Sequence, residues 1–426
     1  MAQISCDAPD ASAGDESRPL TLAEALPRLL ARLSPATGVE SAALPAAAGR
    51  ILAQEVTAAF NLPPHDNSAV DGYAVFHADL SPDAETVLPV TGRIAAGQPP
   101  GRAGQRGEAM RIFTGAPMPA GFDTVVMQED CGVLDGGAVR IRPGSRPGDN
   151  RRRAGEDVQA GSTVLTPGRR LRPADIGLAA SLGYGALAVR TRLRVAVFST
   201  GDELRDPLIA GSAPLPAAAI FDANRFSLQA ILTRMGCQVT DLGILPDDPA
   251  AIAAALAAAA AAHDLLLTSG GVSLGEEDHV KAVVARLGAL HLWRLAIKPG
   301  RPVAVGRIGE TPFLGLPGNP VAVLVTFMRV ARPLVLRLMG AAPTPLRFFP
   351  LPAAFTLRRK TGRREFLRAI LEQTADGGLQ VNRYPRDGSG VLSSLVESDG
   401  LIELPEDCAD VHPGDPVAFI PFSELE

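Results

Sequence analysis

Between residues 193 and 300 the chain alternates short apolar runs with helical stretches, and this alternation constrains the fold more than any other feature of the sequence. Arg194–Phe198 (RVAVF) reads as a buried strand. A helix is predicted at about 224–235, and a strand at Gln238–Leu242. Asp248 and Pro249 then open an alanine-rich helix, the aspartate as N-cap acceptor and the proline at the first helical position. A strand at Asp264–Thr268, a helix at about 277–287 and a strand at His291–Ile297 complete the series. Strand–helix alternation of this kind predicts an open α/β sheet with crossover helices. Ligands of such sheets bind beyond the carboxyl ends of the strands, so the loops that follow the strands are where chemistry is expected.

The rest of the chain has a different texture. The 426 residues suffice for two to four domains. Leu22, Leu26, Leu29, Leu30 and Leu33 have helical spacing, with Pro27 inside the stretch, and a second helix is predicted over 44–56. Residues 61–154 are rich in Gly and Pro around β-prone runs at Thr86–Val90, Met110–Phe113, Thr124–Met127 and Ala138–Arg142, which predicts a small inserted β domain. A helix after Pro320 ends near Met339, prolines at 343–352 mark a linker, and 353–426 reads as a small β barrel or sandwich. The predicted class is therefore α/β multidomain.

Composition excludes several functions. With 46 % hydrophobic and 20 % charged residues, the chain is neither disordered nor fibrous. A formal net charge of -5 argues against a uniformly basic nucleic-acid binder. The alanine-rich run 250–262 is too short and too weakly apolar to span a bilayer. Residues 1–17 are acidic without an apolar core, so a short flexible tail is expected rather than a signal peptide. The four scattered cysteines fit a reducing cytoplasm and no Cys-based metal site.

The strongest chemical signal is Thr268-Ser269-Gly270-Gly271-Val272-Ser273-Leu274-Gly275-Glu276-Glu277-Asp278, which follows a buried strand, opens a helix and is followed by Lys281. Glycines let backbone approach an anion closely, and a helix N-terminus adds positive partial charge. Acidic side chains in such a loop make sense if one holds Mg²⁺ against phosphate; the plain alternative is a glycine turn with acidic helix caps. Further acidic loops, Thr200-Gly201-Asp202-Glu203 and Asp247-Asp248, fall at the same sheet edge, which suggests a divalent-metal and phosphate site; helix capping is the alternative, favoured for Asp248. Lys298-Pro299-Gly300-Arg301-Pro302 holds two cations on a stiff turn, and only three lysines occur in the whole chain. Leu316-Pro317-Gly318-Asn319-Pro320 is another strand-to-helix turn, either a ligand contact or a simple helix start. In the inserted domain, the polar run Asp66 to Asp71 and the rigid turn at Thr114 are either turns or substrate contacts, and Arg151-Arg152-Arg153 reads as a solvated charge run.

Seven of these stretches, taken in order, resemble one family: PPHDNSAVDGYAV, FTGAPMPAGFDTVVMQED, RRRAGEDV, FSTGDEL, TSGGVSLGEEDHVK, IKPGRPVAVG and GLPGNPVAV. They are similar to the molybdopterin molybdenumtransferases of the bacterial MoeA type, related to the E domain of gephyrin. The resemblance implies a tail (1–17), a discontinuous elongated helical domain (18–57 and 153–190), an inserted β domain (58–152), an α/β molybdopterin-binding domain (191–340) and a C-terminal β barrel (341–426). It also implies a cytoplasmic homodimer whose active site lies between the α/β domain of one subunit and the inserted domain of the other. The implied reaction takes adenylylated molybdopterin and molybdate, assisted by Mg²⁺, and releases AMP. A molybdopterin adenylyltransferase and molybdoenzyme acceptors are the implied partners, with neither nucleic acid nor membrane.

Matched motif by motif, Ser269, Gly270, Gly271 and Ser273 would cradle the pterin phosphate. Glu203, Asp247 and Asp278 correspond to the carboxylates around the metal and pyrophosphate. Lys298, Arg301 and Pro302 fall on the family's cationic turn, and Asp71 and Thr114 on residues that reach across the dimer. Arg363 and Ser393 correspond to its molybdate contacts; the alternative for Arg363 is a solvated surface run with Arg358, Arg359, Lys360 and Arg364. Three positions depart from the pattern: Val70 for methionine, Arg301 for a second lysine and Ala322 for a serine, the last removing a hydroxyl near the oxyanion. A stand-alone adenylyltransferase would use the same TSGG loop, and a gephyrin-like scaffold is the non-enzymatic alternative. The inserted and C-terminal domains argue against the first, and the intact acidic and cationic motifs against the second.

Overall fold

The computed structural model describes residues 18–99, 101–210, 214–271 and 279–425. The expected tail and the candidate site residues Ser273 and Asp278 lie outside the described residues. At its centre is a six-stranded sheet. Its strands are β1 (Arg194–Thr200), β2 (Gln238–Leu245), β3 (Leu265–Ser269), β4 (Gly288–Arg294), β5 (Pro302–Ile308) and β6 (Thr311–Leu316). They lie in the order β2-β1-β3-β6-β5-β4. The first four in that order are parallel, and β5 runs antiparallel to both β6 and β4.

Both faces of the sheet are covered. On β1, Val195 and Val197 enter one apolar cluster while Ala196 and Phe198 enter another, as the two-residue strand period dictates. The first cluster is closed by helix α1 (Asn224–Arg234) through Leu228 and Leu232, and by the N-terminal helix Leu22–Ala31 through Leu22, Ala25 and Leu29. The second is closed by α2 (Pro249–Ala262) and α3 (His279–Leu287). Alanine drives α2 by propensity, and Asp248 caps it by accepting from the Ala250 and Ala251 N–H groups at 3.1 and 3.3 Å. Only Ile252, Leu256 and Ala259, one helical stripe, are buried along α2.

Three expectations are corrected. The stretch 44–56 is helical only over Leu44–Ala47, because Ala48 is extended and Gly49 takes a left-handed φ of 76°. The segments expected to form a helical domain therefore hold paired strands as well, Val39–Ala43 with Ala186–Arg190 and Val56–Thr57 with Thr163–Leu165. Finally, 291–297 is not one strand. Strand β4 ends at Arg294, and Ile297–Lys298 leaves the sheet to pair in parallel with Arg364–Glu365 of the C-terminal domain. The sequence alone could not show this change of partner, since strand pairing is set by packing and not by the run of residues 291–298 itself.

In the inserted domain the four expected strands are present, and Gly72–Val75 and Cys131–Leu134 complete a six-stranded sheet. In the C-terminal domain, strands 364–373, 400–404, 416–421 and 349–352 pair in that order, with 379–383 on the other side of 364–373. A bridge between Ala353 and Val381 joins the two ends of this path, so the sheet curls back on itself.

Candidate active site

Parallel strands deliver their carboxyl ends to one edge, so the loops after β1, β2, β3 and β6 meet there, joined by the segment 295–301 that enters antiparallel β5. A cavity of about 390 Å³ opens at this edge, lined by Gly270, Gly271, Pro299, Gly300, Arg301, Pro302, Pro317, Gly318, Asn319, Ala322 and Ser389. Its walls are largely backbone. Gly271 has φ 64°, and a Cβ there would lie 2.5 Å from Thr200 Oγ1 and 3.0 Å from Val280 Cγ2. Gly300 has φ 100°, and its Cβ would meet Thr326 Cγ2 at 2.6 Å. Both positions therefore require glycine for conformation and for space. The charge comes from Arg301, which is exposed and has no ion-pair partner among the described residues.

Ser269 and Gly270 hold this wall together. Ser269 is 4 % exposed, its hydroxyl donates to the Pro317 carbonyl at 3.1 Å, and it accepts from Asn224 Nδ2 at 2.9 Å. The Gly270 N–H donates to the Leu316 carbonyl at 3.1 Å. Ala322 is buried and lines the cavity, and it carries no hydroxyl where the resemblance leads one to expect one.

A second cavity, about 340 Å³, lies on the other side of the 298–302 turn and is lined by Lys298, Leu357, Arg358, Arg359, Lys360, Arg363, Glu365, Leu367, Arg383 and Asp387. Lys298 Nζ pairs with Glu365 Oε1 at 2.6 Å and Arg359 Nε with Glu365 Oε2 at 2.9 Å. Two carboxylates, Glu365 and Asp387, face six cationic side chains, so the groove keeps a strong positive potential. Arg363, half-buried, has no ion-pair partner among the described residues. The structure thus brings Lys298 together with Arg363 and places Arg301 and Pro302 in the glycine-lined cavity instead. The two spaces share a rim: the 298–302 turn on one side and the loop carrying Asp387 and Ser389 on the other. Ser393 lines neither cavity; it is exposed at the start of a short helix, while its neighbour Ser394 is buried and accepts from Arg368 Nε at 3.0 Å.

The carboxylates are more dispersed. Thr200 lies beside Leu245 in the β1–β2 register, so Glu203 and Asp247 follow adjacent strand ends, and both are exposed. Glu203 folds back over Gly201, whose Cβ would lie 2.6 Å from Glu203 Oε2. No three acidic, histidine or cysteine side chains converge into a cation cage among the described residues. A pair of carboxylates is the donor set Mg²⁺ takes when phosphate oxygens and water complete its shell.

Asp71 and Thr114 do come together. The Thr114 N–H and hydroxyl both donate to Asp71 Oδ1, at 2.8 and 2.7 Å, and these bonds hold the carboxyl below its ordinary pKa. Neither residue lines either cavity of the same chain. Arg151, expected in a solvated run, is instead paired with Asp66, whose other oxygen accepts from the Ala154 N–H at 2.7 Å.

Sequence reasoning passed over Asn224 and Arg225. Arg225 is 1 % exposed and grips three carboxylates, Asp206, Asp222 and Asp241. Burial works against its charge, but the three anions outweigh that and raise its pKa. Buried arginine needs such partners, so the FDANRF run followed by Asp241 was the available signal.

Comparison with known proteins fits this geometry. Residues 20–183 match the MoeA N-terminal region (domain I and II), 196–337 a probable molybdopterin binding domain, and 350–422 the MoeA C-terminal region (domain IV). The chain is 39 % identical to the molybdopterin molybdenumtransferase of Haemophilus influenzae, over 95 % of this chain and 99 % of that protein. It is 38 % identical to molybdopterin molybdenumtransferase 2 of Mycobacterium tuberculosis, over 91 % of this chain and 96 % of that one. The crystal structure of the molybdopterin biosynthesis moeA protein of Pyrococcus horikoshii superposes with a TM-score of 0.81 at 28 % identity, covering 95 % of this chain and all of the other.

Proposed function

The chain belongs to the MoeA family of molybdopterin molybdenumtransferases, and from that premise we propose that it transfers molybdate into adenylylated molybdopterin with release of AMP. The observation that carries the reading is the pair of adjoining anion cavities with a common rim. One is shaped by glycine backbone for a phosphate ester, the other by side-chain cations for a small oxyanion. A phosphate-bearing pterin held in the first would present its dithiolene near molybdate held in the second.

In this reading the backbone of Gly270 and Gly271 lies close to the pterin phosphate, with Arg301 as its counter-charge. Ser269 keeps the loop in place. Lys298 and Arg363 bind molybdate, with Glu365 orienting Lys298. Ser393 is assigned no contact of its own. Glu203 and Asp247 would hold Mg²⁺ together with pyrophosphate oxygens, Asp278 being the third carboxylate the resemblance implies. The ion would supply charge neutralisation at the bond that is cleaved. Asp71, kept ionised by Thr114, serves the site of a second subunit, which makes the working unit a homodimer. A cytoplasmic setting, supply by a molybdopterin adenylyltransferase and delivery to molybdoenzymes complete the proposal.

The test is turnover of adenylylated molybdopterin with molybdate, followed as AMP and as finished cofactor. Both products should appear together and depend on molybdate. AMP release independent of molybdate, or pterin adenylylation from ATP, would replace the reading with hydrolysis or with the adenylyltransferase alternative. For the shared site, mixing Asp71→Ala subunits with Gly271→Val subunits should restore part of the activity. No rescue in verified heterodimers would refute a site built from two subunits.

A further inference from the structure

The first residue of α1, Asn224, joins the two walls of the glycine-lined cavity. Its Nδ2 donates to Ser269 Oγ at 2.9 Å and to the Gly318 carbonyl at 2.6 Å. A carbonyl only accepts, so the amide orientation is fixed: nitrogen, not oxygen, faces Gly318. Ser269 Oγ then receives a hydrogen from Asn224 and has one of its own to give, which goes to the Pro317 carbonyl at 3.1 Å. The hydroxyl proton is therefore committed to a neighbouring loop and is not offered to a ligand. Asn224 itself is anchored from below, because the next residue, Arg225, is buried among Asp206 of the loop after β1, Asp222 before the helix and Asp241 of β2.

We infer that Asn224 is a positioning residue: its amide group, acting with the Ser269–Pro317 and Gly270–Leu316 hydrogen bonds, fixes how the Ser269–Gly271 loop lies against the Pro317–Asn319 loop, and thereby the fit of the phosphate-bearing substrate between them. The identity of that substrate rests on the reading of the preceding subsection, whereas the spacing does not. Asparagine suits the task because it places two N–H donors on one planar group. Aspartate donates none and would oppose the Gly318 carbonyl. Alanine leaves that carbonyl and the Ser269 lone pair unpaired.

The experiment compares the full-length wild-type protein with Asn224→Asp, Ser269→Ala and the double variant. It measures KM for adenylylated molybdopterin, KM for molybdate, thermal midpoint and hydrogen exchange of the Gly270 and Gly271 amides. Asn224→Asp should raise the pterin KM by roughly tenfold and up to about a hundredfold, as misplacement of a binding wall does. The molybdate KM should stay within about twofold, and the two amides should exchange faster, since losing the Asn224 link loosens one loop against the other. The double variant should lose less than the sum of the two single variants, because both remove the Asn224–Ser269 bond. An unchanged pterin KM with unchanged exchange overturns the inference. So does a matching loss toward both substrates with a lowered thermal midpoint, which marks a general structural role. If the wild-type protein does not turn over the pterin nucleotide, the functional reading fails, and exchange alone then decides: faster at Gly270 and Gly271 in Asn224→Asp supports the positioning role, unchanged refutes it.

Discussion

The two cavities on either side of the 298–302 turn, each proposed to hold an anion, are built from opposite materials. The first is lined chiefly by glycine, proline and backbone, with Arg301 as its one charged side chain. The second carries six cations against two carboxylates. Backbone shape selects the form of a ligand and is intolerant of any added atom. Side-chain charge selects for charge, tolerates single losses and is weakened by salt. The comparison teaches that the turn, although only a few residues long, is a partition: Lys298 lines one cavity and Arg301 the other, which is why we propose different substrates for these neighbouring cations.

The strongest way to break this picture is Gly271→Val. Its Cβ would sit 2.5 Å from Thr200 Oγ1 in a conformation that only glycine adopts readily. Turnover should fall by more than about a hundredfold, as expected when a substrate wall is displaced; measurable pterin binding at wild-type affinity would show that the glycine wall is not the phosphate site. Next comes Arg363→Ala. Loss of one charge-assisted contact costs about 1.5–3 kcal/mol, so molybdate use should weaken roughly tenfold to a hundredfold and recover at high molybdate, with pterin binding unchanged. Arg301→Ala should show the mirror image, about a tenfold rise in pterin KM with little effect on molybdate; a selective molybdate defect would move Arg301 into the cationic groove and erase the partition. Ala322→Ser restores a hydroxyl to the glycine wall and should shift the pterin KM by only a few-fold, the effect of one neutral hydrogen bond, while leaving molybdate preference alone.

The smallest effect is electrostatic. The Thr114 N–H and then its hydroxyl lower the Asp71 pKa, so the carboxylate remains charged well below neutral pH. A lowered carboxyl pKa stabilises the folded form above the unfolded value of about 3.9 and loses that contribution as pH falls through the folded value. In an NMR titration Asp71 should therefore ionise below the ordinary aspartate range, and Thr114→Val should move it upward. A titration unmoved by Thr114→Val would show that the Thr114 hydroxyl does not bond to Asp71 in solution.

Much of this was legible from residue order. Central strands and helices followed from uninterrupted apolar runs and capping signals, such as RVAVF and Asp248-Pro249. The Gly270–Gly271 loop could be placed at the carboxyl edge because strand polarity in an α/β sheet leaves it nowhere else. Less legible were features that depend on a partner far away in the chain. Arg151 left its charge run because Asp66, distant in sequence, pairs with it, whereas helix 44–56 was cut short for a local reason, the left-handed Gly49.

What the sequence determined by itself was therefore local: which segments are apolar on both faces, where helices start, and which loops must avoid a Cβ. These depend on neighbours within a few residues, and periodicity or glycine spacing reports them directly. What only the tertiary structure decided was allegiance. Ile297–Lys298 crosses from the central sheet to pair with Arg364–Glu365, and that single change of partner puts Lys298 beside Glu365 and Arg363 while Arg301 stays with the glycines. Ser269 likewise gives its proton to Pro317 because Asn224, far off in sequence, arrives as a donor. A hydroxyl or an ammonium carries no mark of its partner in the linear chain, because hydrogen bonds and ion pairs form only between groups that packing has already brought within about 3 Å.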